Sequence, residues 1–381
     1  MSRFLRFPLP LLLLAVLAAC SSAPPAPEPK NYPGLPADAA RLQRLWKVAV
    51  GDGLDDDHVR LTPAVTEQQV VAASRDGVVL LVGRESGKVE WKRKTGLAIT
   101  AGPAAAYGVV LVATVKGELV ALAQADGSEK WRAALGATLM AAPAIAAELV
   151  VALSADGVVH ALSRATGEVR WTYNTMVPPL SLHANASPLI ADDRVYVATS
   201  SGKLVSLDLA TGASQWELRV ATNNGRSELE RMNDIAANLL RVGERELFSV
   251  GYQSQLTLTD VQAGRRRWQF DVSSVNDLAE GLGNVYVADT GGNVLAVDRA
   301  SGEAVWKQPD FAWRLLTNPV VLGNVLVVGD DAGRAHLLAQ SDGAVRGRTR
   351  IGGAALAALI ARDDVLYAWD EKGRLSAWKL R

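Results

Sequence analysis

The sequence predicts an all-β protein, an eight-bladed β-propeller built from four-stranded antiparallel blades. The first observation is a repeat in which a glycine is followed four residues later by a tryptophan, at a period of roughly 40 residues that is typical of propeller blades. The second is that each period holds several short apolar runs separated by turn signals, which favours four strands per repeat. The complete copies are Gly87/Trp91, Gly127/Trp131, Gly167/Trp171, Gly212/Trp216, Gly264/Trp268 and Gly302/Trp306.

The period that ends at Trp171 shows how the strands are predicted. Residues 149–154 and 158–163 are apolar and β-branched, and an Asp-Gly pair between them is a strong hairpin signal because glycine adopts positive φ without steric cost. Residues 168–173 alternate polar and apolar side chains, as an outer strand with one solvated face does. Residues 142–145 supply a short first strand. We expect the recurring tryptophan to pack between neighbouring blades.

Both ends of the chain are needed to complete the ring. A seventh turn at Ser341-Asp342-Gly343 carries Gly347 where the tryptophan is expected. Beyond it, residues 354–380 provide three strands, and Leu45–Gly51 matches the outer strand that these three lack. An N-terminal strand that completes the last blade closes the ring and removes an open sheet edge. The predicted count is therefore eight blades, over residues 41–381.

The N-terminus predicts export and a lipid anchor. Arg3 and Arg6 precede an apolar run too short to cross a bilayer, so residues 1–19 are predicted to be a signal peptide. Cys20, the only cysteine, excludes an intramolecular disulfide. The preceding Leu-Ala-Ala resembles a bacterial lipoprotein signal, which implies that Cys20 is lipidated and, with Ser21 after it, that the protein reaches the periplasmic face of the outer membrane. The alternative is an ordinary signal peptide with a stray cysteine.

The proline-rich stretch that follows Cys20 has no apolar periodicity. We expect residues 20–40 to be a flexible, lipidated tether outside the fold. Removing Arg3 and Arg6 leaves 38 basic against 40 acidic residues, a net charge of −2, so no basic field predicts nucleic acid as a partner.

The residue types predict neither a catalytic site nor a metal site, and no cofactor. The four histidines are scattered, and we expect His160 to be a structural histidine on a strand. Asp55-Asp56-Asp57 lacks the spaced ligands of a calcium loop and is interpreted as a solvated loop. No phosphate-binding loop or nucleophile elbow is found.

Two insertions interrupt the repeat, at residues 175–187 and 223–237. Functional surfaces of repeat proteins usually lie in such insertions, because loops vary while the scaffold keeps its shape. Leu180 and Leu182 lie in the first, in a proline-bounded loop without a strand pattern. Apolar side chains in such a loop either cap the blade or form an exposed partner site, and the residues alone favour neither.

The repeat from Gly202 to Trp216 resembles the PQQ-dehydrogenase type of propeller repeat, a family with quinone-dependent enzymes and catalytically silent members. The lipoprotein signal, tether and eight blades together resemble the BamB family, lipoproteins of the machinery that assembles β-barrel proteins in the outer membrane. This resemblance covers Cys20 to Arg381. It implies a non-enzymatic scaffold that binds BamA and, through it, the Bam complex, with unfolded barrel precursors as a further hypothetical partner.

The resemblance also implies where the partner binds. Leu180-Ser181-Leu182 is similar to a Leu-x-Leu-Arg loop that contacts BamA, and residues 225–231 with Asp234 are similar to a neighbouring contact loop. His183 stands in place of the usual arginine and Ala236 in place of a second aspartate, so a permanent charge is missing at the first position. The predicted partner-binding residues are Leu180, Leu182, His183, Arg226, Arg231 and Asp234. The alternatives are a quinone-dependent enzyme that uses the central channel and a sugar- or peptide-binding propeller.

Overall fold

The computed structural model describes residues 28–54, 59–182, 186–221, 227 and 232–381. These residues form 32 strands in eight separate four-stranded antiparallel sheets, which confirms the predicted eight-bladed propeller. Within this described part of the chain, no helix is long and apolar enough to cross a membrane.

The first four blades follow the chain in order. Blade 1 comprises β2 (Ala64–Val65), β3 (Gln69–Ala73), β4 (Val78–Gly83) and β5 (Val89–Lys94). Blade 2 comprises β6 (Ile99–Ala106), β7 (Val109–Thr114), β8 (Glu118–Ala123) and β9 (Glu129–Ala134). Blade 3 comprises β10 (Ala144–Ile145), β11 (Leu149–Leu153), β12 (Val158–Ser163) and β13 (Val169–Asn174). Blade 4 comprises β14 (Leu189–Ala191), β15 (Arg194–Ala198), β16 (Lys203–Asp208) and β17 (Ser214–Arg219).

The other four blades end with the one that contains both chain ends. Blade 5 comprises β18 (Leu240–Val242), β19 (Glu246–Ser249), β20 (Gln255–Asp260) and β21 (Arg265–Asp271). Blade 6 comprises β22 (Ala279–Gly281), β23 (Asn284–Ala288), β24 (Val294–Asp298) and β25 (Ala304–Gln308). Blade 7 comprises β26 (Val320–Leu322), β27 (Val325–Gly329), β28 (Arg334–Ala339) and β29 (Val345–Arg350). Blade 8 comprises β30 (Leu356–Arg362), β31 (Val365–Asp370), β32 (Arg374–Leu380) and β1 (Leu42–Ala49).

Burial follows the position of a strand in its blade. The middle strands, such as β11 and β12, are buried on both faces because each blade is packed between two others. The outer strand β13 alternates exposed and partly buried side chains, as its sequence predicts. The first strands of neighbouring blades approach one another, so they line the centre of the ring.

The recurring tryptophans pack between blades, as predicted. The indole N–H of Trp131 donates to the Arg164 carbonyl at 2.8 Å, and its ring covers Gly167 of the next blade. A Cβ at Gly167 would lie 2.6 Å from the Trp131 ring, and the φ of this glycine is +77°, so no other residue fits. Seven boundaries repeat this contact, at Trp46/Gly87, Trp91/Gly127, Trp131/Gly167, Trp171/Gly212, Trp216/Gly264, Trp268/Gly302 and Trp306/Gly343.

The eighth boundary is built differently because the chain ends there. β1 pairs antiparallel with β32, from Leu42 opposite Leu380 to Ala49 opposite Arg374, which confirms that the N-terminal strand closes the ring. The segment that leads into β1 passes over blade 7, where the N–H of Ala40 donates to the Arg346 carbonyl at 2.8 Å. A Cβ at Gly347 would lie 2.0 Å from the Ala40 carbonyl oxygen. This close approach explains why the seventh repeat has glycine in place of tryptophan.

The predicted tether differs from the structure over its last residues. Tyr32 packs against blade 7, with the guanidinium groups of Arg314, Arg334 and Arg348 at 3.8, 4.4 and 4.4 Å from its ring, and its hydroxyl donates to Asp330 at 2.7 Å. We call residues 30–33 the N-terminal clasp. Proline content predicts an extended chain, and the aromatic side chain among the prolines adds a contact that composition does not indicate. Cys20 lies outside the described residues.

Candidate partner-binding site

The two insertions leave the ring at the same rim. One connects β13 to β14 and the other connects β17 to β18, in each case the last strand of a blade to the first strand of the next. Because every blade has four antiparallel strands, all such connections emerge at one end of the ring. The sequence therefore places the two insertions side by side, on consecutive blades.

A carboxylate joins the two insertions. The backbone N–H of Leu182 donates to a carboxylate oxygen of Asp234, whose side chain is only 1% exposed. The carbonyl of Asp234 in turn accepts the N–H of Tyr252 at 2.9 Å, in the turn between β19 and β20. Asp234 thus links both insertions to blade 5. Its buried position means that it holds Leu182 in place, whereas the sequence had suggested a charge at the partner surface itself.

Residues 175–182, which we call the leucine loop, present two apolar side chains to solvent. Leu180 is 40% exposed, Leu182 is half-buried and Ser181 is buried between them. Met176, on the same loop, is exposed as well. The exposure of Leu180 favours a partner site over a cap on the blade. Sequence reasoning overlooked Met176, although a methionine outside any strand pattern is the kind of adaptable apolar residue that contact surfaces use.

Where each insertion ends, near the central channel, hydrogen bonds between polar residues hold it to the next blade. The N–H of Ser187 donates to the Asn238 side chain at 2.8 Å. The backbone and side-chain N–H groups of Asn238 donate to the two oxygens of Asp277, at 2.8 and 2.9 Å. Blades 4, 5 and 6 are therefore connected by hydrogen bonds between the segments that lead into their first strands.

Arg60 crosses the mouth of the central channel, a cavity of about 440 Å³. Its guanidinium donates to the Ala236 carbonyl at 2.9 Å and to the Val275 carbonyl, and it lies 3.5 Å from Asp277. The residue where a second aspartate was expected, Ala236, thus contributes its backbone to this contact. Across the described ranges, no three His, Cys, Asp or Glu side chains are grouped so that they could hold a metal ion.

Two buried histidines have structural partners. His160 lies 3.2 Å from the Ser154 hydroxyl, and burial lowers its pKa, in agreement with the predicted structural role. His336 lies 2.9 Å from Asp330 through Nε2, and its Nδ1 accepts a hydrogen bond from Arg348 at 3.2 Å. Burial lowers the pKa of His336, and an Nδ1 that accepts this bond is consistent with a neutral ring.

Asp330 is the charged member of this cluster. Burial alone would raise its pKa, but hydrogen bonds from His336, the Arg334 backbone and Tyr32 hold that pKa below its ordinary value. Sequence reasoning missed this cluster, because Asp330, Arg334, His336 and Arg348 match no motif and Tyr32 joins them from almost 300 positions away.

Three predicted partner residues, His183, Arg226 and Arg231, lie outside the described residues, as do His58 and the Asp55-Asp56-Asp57 run. Their roles stay predictions. Of the predicted set, the structure brings Leu180, Leu182 and Asp234 together.

Known proteins resemble this chain along nearly its whole length. The family profile described as outer membrane protein assembly factor BamB matches residues 75–308 and 292–380. The outer membrane protein assembly factor BamB of Pseudomonas aeruginosa is 45% identical over 372 residues, which cover 97% of this chain and 97% of that protein.

Solved structures show the same architecture. The crystal structure of BamB from Moraxella catarrhalis superposes with a TM-score of 0.82 at 29% identity, covering 89% of this chain and all of that one. The quinohemoprotein alcohol dehydrogenase from Comamonas testosteroni gives a TM-score of 0.71 at 14% identity, over 88% of this chain and 76% of its own. At that identity the second likeness concerns the fold alone.

Proposed function

Because the chain belongs to the BamB family of outer membrane protein assembly factors, we propose that it acts as a scaffold of the Bam complex and binds BamA through the surface around Leu180. The observation that carries this proposal is the hydrogen bond from the Leu182 backbone to buried Asp234, which makes one surface of two insertions. The proposed mechanism is positioning: the rigid ring holds BamA while barrel proteins fold and insert.

The proposed surface has the anatomy of a protein interface. Leu180 and Met176 provide apolar side chains that are exposed in the free ring. Apolar centres surrounded by polar rims are typical of protein contacts, and a few buried side chains usually supply most of the binding energy. His183, Arg226 and Arg231 are proposed to form part of the polar rim, by their sequence proximity to Leu182 and Asp234.

We also propose that Cys20 carries the lipid that anchors the protein to the periplasmic face of the outer membrane. The Leu-Ala-Ala-Cys sequence supports this, as does the association of the family with outer membrane assembly. A multiply acylated cysteine anchors a protein stably, whereas one chain holds it weakly.

A role without catalysis fits the central channel better than a quinone-dependent reaction. Arg60 at the channel mouth already binds two backbone carbonyl groups of the protein, those of Ala236 and Val275. The likeness to dehydrogenases lies in the scaffold, at 14% identity.

The binding proposal is tested by measuring the affinity of the periplasmic part of BamA for Leu180→Ala. We expect a loss of about 1–2 kcal/mol, or roughly 5- to 30-fold, because a central apolar contact is truncated. Leu282→Ala is the matched control, since Leu282 is exposed at the opposite rim of blade 6. Equal affinity for Leu180→Ala and wild type would place the partner elsewhere.

A further inference from the structure

In the connection from β25 to β26, two large apolar side chains face solvent and the charged side chain between them is turned inward. Trp313 is 56% exposed and Leu315 is 78% exposed, whereas the side chain of Arg314 between them is largely buried. An ordinary surface loop keeps its charged groups in water and turns its large apolar groups inward. We call residues 309–316 the apolar loop.

The outward direction of Trp313 is fixed by the backbone. Its N–H donates to the Gly291 carbonyl at 3.1 Å, and the N–H of Arg314 donates to the Phe311 carbonyl at 3.0 Å. The φ of Trp313 is +65°, a region that bulky side chains rarely adopt. Phe311 is buried below it and anchors the apolar loop to blades 6 and 7. The exposed tryptophan is therefore held in place by a structured turn.

The N-terminal clasp lies directly against the apolar loop. Arg314 donates to the Lys30 carbonyl at 2.8 Å and lies 3.8 Å from the Tyr32 ring. The Lys30 ammonium donates to the Pro309 carbonyl at 3.4 Å. Arg314 is thus turned inward because it binds the clasp, which leaves its two apolar neighbours facing solvent.

The length of chain before the clasp limits how far the apolar loop can be from a lipid on Cys20. From residue 20 to residue 30 the chain spans ten residues, 30 − 20, and a fully extended chain of that length covers at most about 33–36 Å. The clasp fixes the other end of this segment at the apolar loop. A lipid on Cys20 would therefore keep the apolar loop within about 33–36 Å of the bilayer.

We propose that the apolar loop contacts the phospholipid surface through Trp313 and Leu315, and that the clasp holds it there. Tryptophan favours the interface between headgroups and acyl chains, where its ring and its N–H are both accommodated. Two side chains give only weak binding by themselves, so the contact sets the orientation of the ring and the lipid supplies the attachment. This inference rests on the lipid anchor proposed above.

The test uses the lipidated full chain in phosphatidylethanolamine/phosphatidylglycerol vesicles. Cys20 is the only cysteine and would be acylated, so a nitroxide label on Leu315→Cys would be unique. Leu282→Cys is the matched control, an exposed leucine on the opposite rim. We expect the label at 315 to collide several-fold more with oxygen, relative to a water-soluble nickel complex, than the label at 282. Adding Tyr32→Ala should move the label at 315 toward water.

Each failure has a different meaning. Protein that does not float with the vesicles would overturn the lipid anchor and the membrane contact with it. Protein that floats, with equal accessibility at 315 and 282, would overturn the membrane contact alone. A label at 315 that is shielded from both reagents only after BamA is added would make the apolar loop a protein contact and would also overturn the proposal. A label unchanged by Tyr32→Ala would overturn the role of the clasp.

Discussion

Trp131 and Leu180 are both apolar residues near the edge of a blade, but they occupy opposite environments. Trp131 lies under the turn of the next blade, with its indole hydrogen-bonded, in a contact that recurs at seven boundaries with N–H to carbonyl distances of 2.8–3.0 Å. Leu180 faces solvent in an insertion that other blades lack. The repeated contact maintains the ring, and the unique contact is available for a partner. Stability and binding should therefore respond to different substitutions.

The largest effect on the scaffold should come from removing β1. Without residues 42–49, blade 8 loses its outer strand and the ring has an open edge along β32. We expect this deletion to abolish cooperative unfolding in urea and to cause aggregation, because an unpaired edge templates further pairing. Deleting residues 21–27, which belong to the predicted tether, is the control and should leave the transition intact. A cooperative transition without β1 would contradict the account of ring closure.

The next largest effect should follow Trp131→Ala. This substitution removes a buried ring from a blade boundary and should cost about 3–5 kcal/mol of unfolding free energy. Trp313→Ala is the control, and it should cost little because Trp313 is exposed. Chemical denaturation of both variants measures the difference. Similar losses for the two would mean that the boundary tryptophans do not hold the blades together. Trp171, which is less buried, should fall between them.

Asp234 bears on both stability and binding, because it is buried and also supports the leucine loop. Asp234→Ala removes a buried charged acceptor from the Leu182 N–H and should cost about 1.5–3 kcal/mol of stability. It should also weaken BamA binding, since the leucine loop loses its support. Asp38→Ala removes an exposed carboxylate and should do neither. Full stability of Asp234→Ala together with weaker binding would instead mean that Asp234 contacts the partner directly.

We expect pH to have a smaller effect on the free energy of unfolding. His336 is neutral in the fold because burial lowers its pKa, whereas its unfolded pKa is ordinary, about 6.5. Below that value the unfolded chain binds more protons than the folded chain, so unfolding free energy should fall as pH falls through it. Asp330, with a lowered pKa, adds stability that is lost only at more acidic pH.

His336→Gln should make this pH dependence shallower between about pH 7.5 and about pH 5.5, the range in which an ordinary histidine titrates. Part of the dependence should remain, because the pKa of His160 is lowered too. Urea denaturation at the two pH values checks this. An unchanged slope would show that folding does not shift the pKa of His336, which would contradict this account.

The repeat made the fold predictable from the sequence. Contacts that occur only once in the molecule were harder to predict. Gly-x-x-x-Trp spacing and Asp-Gly turns are local signals, so the blades, their strands and the closing strand were all predicted. The clasp depends on contacts between Tyr32 and three arginines about 300 positions away. Gly347 depends on a contact with Ala40 at a similar separation, and no local pattern records either contact. The burial of Asp234 was missed for the same reason: a charged residue in a polar loop suggests a solvated surface.

The most direct test of the central claim is photocrosslinking in intact cells, with a photoreactive phenylalanine analogue at position 180 or at position 282. Both positions are exposed leucines, at opposite rims of the ring. We predict a crosslink to BamA from position 180 and none from position 282. A crosslink to BamA from position 282 with none from position 180 would contradict the proposed surface.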